Sequence, residues 1–233
     1  MIESSGTPVV TIDRVDAHRG STLALRDINL TVEPGTVVSV IGPNGAGKST
    51  LFALISQRLR PSTGMVRVEG SVGDVLQSTV VDPLLQITVE DVVRMGRYKD
   101  RGFLRPMRRV DRELIDESIE RVGLADLRRR PISQLSGGQR QRALIAQGLA
   151  QDASILLLDE PAAGLDLPAQ EKILEVMRTE ADRGRTILFS THDLGAAAHA
   201  DVVVALRCAC VCCAPPEQAL EAPEVLDLFR MVA

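Results

Sequence analysis

The sequence predicts an α/β fold whose core is a parallel sheet, with further strands before it and a helical insertion within it. Two observations predict this. Val37-Val38-Ser39-Val40-Ile41, Ile155-Leu156-Leu157-Leu158 and Thr186-Ile187-Leu188-Phe189 are short, nearly all-apolar and rich in β-branched residues, the pattern of strands buried on both faces. Helical segments separate these runs, as parallel strands require. The predicted organisation is one domain over 1–233, with an α/β core from 1–77 and 151–233 and a helical subdomain at 78–150.

Each element has a local reason. Val9 to Asp13 and Leu23 to Val32 roughly alternate apolar and polar residues, as half-buried strands do, and Glu33-Pro34-Gly35 turns the chain. Val37 to Ile41 runs into a glycine-rich loop, and a helix is expected from about Lys48. Met65 to Glu69 and Val72 to Gln77 read as short strands separated by Gly70. Thr88 and Asp91 form a capping-box pattern ahead of Val92, Val93 and Met95. Leu114, Ile115, Ile119 and Val122 make an apolar stripe that Gly123 ends. Ser136 can cap a further helix with Leu144, Ile145 and Leu149 inward, and another helix spans about Ala169 to Arg183.

Composition narrows the function classes. With 233 residues, 45% hydrophobic and 25% charged, the chain can bury a sizeable core and is neither disordered nor fibrous. Twenty-seven basic against 31 acidic residues give a net charge of −4, which supplies no field for a polyanion, so nucleic acid is not an expected partner. Aromatic residues are 2%, with no Trp, leaving almost nothing for base-stacking platforms. Apolar runs such as Val202 to Leu206 fall far short of the roughly 20 residues that span a bilayer. The N-terminus lacks the basic start and apolar stretch of a secretory signal, so a cytosolic location is expected.

Three motifs carry chemistry. Gly42-Pro43-Asn44-Gly45-Ala46-Gly47-Lys48-Ser49 fits G-x-x-x-x-G-K-[ST] between a predicted strand and a predicted helix, the setting that motif needs. Its glycines let successive amides face one phosphate, the helix start adds positive dipole, and Lys48 brings a compact charge. Only three of the 27 basic residues are lysines, so a lysine kept here points to work for an ammonium. Ser49 is a candidate Mg²⁺ ligand. Ile155 to Leu158 ends in Asp159 and Glu160, two carboxylates suited to holding Mg²⁺ and to activating water. Leu135-Ser136-Gly137-Gly138-Gln139 offers a hydroxyl and two unobstructed amides at a helix start, a second anion site in the same chain. One chain binds one γ-phosphate, so a second such site calls for a partner.

On these residues the sequence resembles the nucleotide-binding subunit of an ATP-binding cassette (ABC) transporter over nearly all of its length. Gln139 stands 20 residues before Asp159, a spacing specific to that family. The resemblance implies a P-loop NTPase core of the ABC ATPase type with an N-terminal antiparallel β subdomain and a helical signature subdomain. It implies ATP and Mg²⁺ as cofactors, with Thr50 closing the phosphate loop. Gln77 resembles the Q-loop glutamine that contacts Mg²⁺ and water, Asp166 the D-loop aspartate facing a partner subunit, and His192 the switch histidine on the γ-phosphate. Glu160, His192, Gln77 and Lys48 are thus the expected catalytic set, and Ser49, Gln77 and Asp159 the expected metal ligands. Two copies, expected to be identical, would close head to tail around two ATP.

The resemblance also implies transmembrane permease subunits, an extracytoplasmic solute-binding protein and a peripheral place at the cytoplasmic membrane face. The stretch from Val81 to Tyr98 resembles the permease-docking insertion of metal-ion importers, zinc and manganese above all, and more loosely that of iron-siderophore or haem importers. A soluble ABC ATPase outside transport is the alternative from another class. Where the family stacks Tyr on adenine, this sequence has His18, and its one Tyr is at Tyr98. The basic run from Arg94 to Arg112 reads as a solvated face. Cys208, Cys210 and Cys212 alternate and so are expected on one strand face beside Cys213, where a metal-sensing role competes with plain packing.

Overall fold

The computed structural model describes residues 7–75, 86–98 and 106–230. β1 (Val10–Arg19) and β2 (Thr22–Val32) form a hairpin through a two-residue turn in which Gly20 takes φ 60°, a conformation that disfavours side chains. β3 (Val37–Ile41) leads through the glycine-rich loop into α1 (Lys48–Ile55), and β4 (Thr63–Val68) returns to the free edge of β1. The result is an antiparallel sheet of order β2-β1-β4. Val10, Ile12, Val15, Leu25 and Ile28 from its inner face pack with Leu51, Phe52, Leu54 and Ile55 of α1, so the small sheet rests on the first helix.

The second sheet carries the site. Its order is β5-β6-β7-β3-β8-β9, from β5 (Val72–Val75), β6 (Ile155–Leu158), β7 (Thr186–Thr191), β3, β8 (Val202–Leu206) and β9 (Cys210–Ala214). β5 to β8 are parallel and β9 folds back antiparallel. Every residue of β3, β6 and β7 is buried, which is why those runs are apolar throughout. α2 (Val89–Met95), α3 (Arg109–Arg121) and α4 (Gly137–Leu149) bury Val92, Val93, Ile115, Ile119, Ile145 and Leu149 in one cluster that continues into Leu156, Leu158 and Phe189 of the sheet. A Cβ on Gly148 would lie 2.4 Å from Val75 Cγ2, so glycine lets α4 press against the edge strand β5. α5 (Leu167–Asp182) joins the same core through Ile173 and Met177. Its buried Glu180 accepts hydrogen bonds from Arg121 (3.4 Å) and Arg183 (2.9 Å), and Arg185 lies 3.5 Å away, so the charge is compensated and α3 is tied to α5. Short helices α6 (Leu194–Ala197), α7 (Pro216–Ala219) and α8 (Pro223–Arg230) close the far end around Val203 and Ala205. No helix among the described residues is long and apolar enough to cross a membrane.

Two readings shift, and others fall outside the described residues. β1 continues six residues beyond Asp13, because irregular pairing around Arg14 and Asp27, both at φ 47°, breaks the alternation without ending the strand. Gln77 lies outside the described residues, as do Lys99, Arg101 and Arg105 of the basic run and residues 81–85 of the insertion.

The single-faced row of thiols does not form. Cys208 sits in the turn before β9 at φ 60°, and Val211 is an extra residue in the ladder, with Ala205 opposite Cys212 and Leu206 opposite Cys210. Cys210 therefore packs against the cluster that holds Leu51 and Leu206, while Cys212 packs against the one that holds Ile41 and Val225. Among the described residues no group of three or more His, Cys, Asp or Glu could hold a metal ion. Burial pushes the Cys210 thiol up to about 11 and raises that of Cys213 as well. Since the thiolate is the reactive form, iodoacetamide at about pH 8 should label exposed Cys208 well before Cys210, and Cys210 labelling should rise steeply only on approach to its pKa; peptide mass mapping of the full chain checks the order.

Candidate active site

The site begins where β3 ends. Gly42 takes φ 150°, and a Cβ there would come within 2.4 Å of the Leu206 carbonyl oxygen, so the chain can leave the sheet beside β8 only as glycine. Gly47, at φ 104°, faces Leu25 and the Ala24 carbonyl of β2 at 2.4 and 2.9 Å from a notional Cβ. The β1–β2 hairpin thus sits directly on the phosphate loop. On the other side, Cys208 N–H donates to Ala46 O at 3.0 Å and Arg26 N–H to Cys208 O at 2.6 Å, so the loop is braced from two hairpins. The start of α1 brings amides without intrahelical partners and the positive end of the helix dipole.

Pro43 through Thr50, with Arg19, Asp159 and Glu160, line a cleft of about 310 Å³. Lys48 is only 7% exposed, and its ammonium donates to Gly42 O at 2.7 Å and Pro43 O at 3.3 Å. Desolvation lowers its pKa, while the carboxylates of Glu160 and Asp159 favour the charged form.

Opposite the loop stands a connected set of oxygens. Ser49 Oγ donates to Asp159 Oδ2 at 3.2 Å, and Ser190 Oγ donates to Asp159 Oδ1 at 2.5 Å. Glu160 N–H donates to Ser190 Oγ at 2.9 Å, and His192 Nδ1 lies 3.7 Å from Glu160 Oε1. α1, the end of β6 and the end of β7 supply these groups, so parallel strand order alone brings Asp159, Glu160, Ser190 and His192 together. Glu160 adopts φ 49°, costly for a non-glycine residue and held here by its amide bond to Ser190. Ser190 is fully buried, and sequence reading gave it no role of its own. Its signal was a hydroxyl where an otherwise apolar run turns polar.

His18 lines an adjoining cleft of about 480 Å³ that shares Arg19, Ser49 and Asp159 with the first. Its Nδ1 is 2.9 Å from Ser62 Oγ, which orients the ring. Ser136 and its neighbours lie elsewhere and line neither cleft. Ser136 Oγ accepts from Gln139 N–H at 3.3 Å, and Gln139 Oε1 accepts from Ser136 N–H at 3.1 Å, a closed capping box at the start of α4. A Cβ on Gly138 would lie 2.7 Å from Ala169 Cβ, so this end of α4 abuts the start of α5. There Asp166 caps the helix by accepting from Ala169 N–H at 3.1 Å.

Residues 25–163 match the family model for ABC transporters. The chain belongs to the ABC transporter family. It is an ATP hydrolase of that family, with activity coupled to transport. It is 42% identical over 196 residues to the manganese transport system ATP-binding protein of Synechocystis, covering 79% of this chain and 75% of that protein. The zinc transport system ATP-binding protein of Treponema pallidum is 39% identical, with 83% and 76% covered. A chelated iron transport system membrane protein of Yersinia pestis is 40% identical, with 81% and 67% covered. Among solved structures, CbiO1 of Clostridium perfringens, part of an ABC transporter complex, superposes with a TM-score of 0.81 at 26% identity, covering 97% of this chain and 96% of that one. The dimeric post-hydrolysis ATP-binding cassette MJ0796, bound to ADP and phosphate, gives 0.74 at 26% identity, covering 89% and 98%.

The bridge through Ser190 makes a test for this ABC ATPase. Ser190→Ala removes the hydroxyl that orients Asp159 and holds the Glu160 backbone, so steady-state phosphate release should fall about tenfold or more while ATP affinity changes little; unchanged turnover would contradict the role of the bridge.

Proposed function

We propose that this chain is the ATP-hydrolysing subunit of a metal-ion importer, manganese or zinc being the cargo class. Two copies act on membrane-embedded permease subunits at the cytoplasmic face, and an extracytoplasmic solute-binding protein supplies the ion. The observation that carries the catalytic reading is the connected set Ser49–Asp159–Ser190–Glu160 facing the lysine-bearing loop. The cargo reading is supported by the manganese and zinc transport systems among its relatives. A second reading, import of iron chelates, is favoured by the relatives in chelated-iron and iron(3+)-hydroxamate systems.

In this reading Gly42 to Thr50 wrap the β- and γ-phosphates, with Lys48 releasing its carbonyl partners to meet them. Ser49 Oγ and Asp159 Oδ2, 3.2 Å apart, are hard oxygen donors that fit Mg²⁺, with Gln77 as a further ligand. When bound, the ion supplies charge neutralisation at the phosphate oxygens. Glu160 accepts the proton of the attacking water, and its backbone bond to Ser190 fixes where that carboxylate stands. His192, beside Glu160, reaches the γ-phosphate. His18 flanks the base. Ser136, Gly137, Gly138 and Gln139, with Asp166, complete the site from the second copy, a pairing supported by the dimeric cassette that this fold resembles.

Glu160→Gln keeps the shape and deletes the base, so turnover should drop by roughly 10² or more while MgATP still binds and the variant elutes as a dimer with nucleotide; turnover at the wild-type rate would sink the assignment. In the complex assembled with permease and binding protein, Mn²⁺ or Zn²⁺ should raise ATP hydrolysis. Stimulation by a ferric chelate alone would select the second reading.

A further inference from the structure

Arg19 is a cation that the sequence motifs leave out, and the fold delivers it to the phosphate loop. It is the last residue of β1, opposite Thr22 across the two-residue turn, so its backbone is fixed by the hairpin. That hairpin is pinned on the loop by the contact of Gly47 with Ala24 and Leu25. Arg19 lines both clefts where they meet at Ser49 and Asp159, and one guanidinium nitrogen lies 3.4 Å from Ser49 O, on the first turn of α1. No ion pair to Arg19 occurs among the described residues.

Charge around the loop makes the case stronger. The cleft's lining holds two cations, Lys48 and Arg19, against two carboxylates, Asp159 and Glu160. Lys48 is enclosed by the loop, whereas Arg19 reaches the cleft from the other sheet. A triphosphate brings more negative charge than Lys48 alone offsets, and a guanidinium is suited to bidentate capture of phosphate oxygens.

We propose that Arg19 is a phosphate-binding residue, which clamps the nucleotide's phosphate chain from the antiparallel sheet while Lys48 holds it from the parallel one. The proposal rests on the reading of Gly42 to Thr50 as the phosphate loop. Arg19 is exposed and its removal leaves no buried partner, so variants should fold. Its weak bond to Ser49 O is separable from its charge, because Arg19→Gln keeps an amide donor and loses the charge.

The test is titration calorimetry of the full-length chain with MgATP and with magnesium tripolyphosphate, which has no base or ribose. Arg19→Ala and Arg19→Gln should each weaken both ligands by roughly tenfold, Arg19→Lys should recover part of the loss, and the difference from wild type should shrink as salt rises. Unchanged affinity of Arg19→Ala and Arg19→Gln for both ligands would overturn the proposal. So would a loss confined to MgATP, which would assign Arg19 to the base or ribose, or a loss in Arg19→Ala that Arg19→Gln fully restores, which would make the Ser49 bond its only role. Lys48→Ala run alongside separates the two levels: if it leaves both affinities intact, the loop reading itself fails, whereas abolished binding there with normal binding in both Arg19 variants condemns only Arg19.

Discussion

A single serine hydroxyl on β7 holds the chemistry in register. Ser190 Oγ donates to Asp159 and accepts from the Glu160 amide, so the two consecutive carboxylates at the end of β6 are fixed by the neighbouring strand rather than by their own loop. This matters because Glu160 occupies a left-handed conformation that a free chain end would abandon. Parallel pairing of β6 with β7, Leu158 beside Phe189, sets the distance, and complete burial of both strands fixes the base from which the half-buried bridge projects. The geometry of these carboxylates is thereby inherited from the fully buried interior of the sheet.

The phosphate loop is held by the same logic with different means. Its shape depends on close backbone approach on two sides, to β8 at Gly42 and to β2 at Gly47, where any side chain would collide. Backbone bonds from Cys208 to Ala46 and from Arg26 to Cys208 complete the brace. A loop with little side-chain volume of its own is therefore preorganised by its surroundings, and its open amides need not be assembled when phosphate arrives.

Much of this was legible in the sequence, for physical reasons particular to each element. The all-apolar runs of β3, β6 and β7 declared a doubly covered parallel sheet, and the Thr88–Asp91 capping box and the Ser136 cap marked helix starts that the hydrogen bonds reproduce, Gln139 adding the return bond at Ser136. Lys48, Ser49, Asp159, Glu160 and His192 come together as their motifs imply. What stayed hidden depended on pairing register. The bulges of β1 and β9 insert single residues that alternation cannot reveal, so alternation predicts a shorter β1 and a common face for three thiols. Ser190 and Arg19 are distant in sequence from Asp159 and the phosphate loop; the only local signal for Ser190 is a hydroxyl ending an apolar run, and Arg19 has none.

The contact between Gly138 and Ala169 has a mechanical consequence. With no room for even a methyl group between them, the first turns of α4 and α5 cannot slide past one another, and separating them would open a void in the shared core. Ser136 and Asp166, the caps of these two helices, are thereby tied to a single seam of close contact, so the placement of one follows that of the other through packed helix ends rather than through a loop.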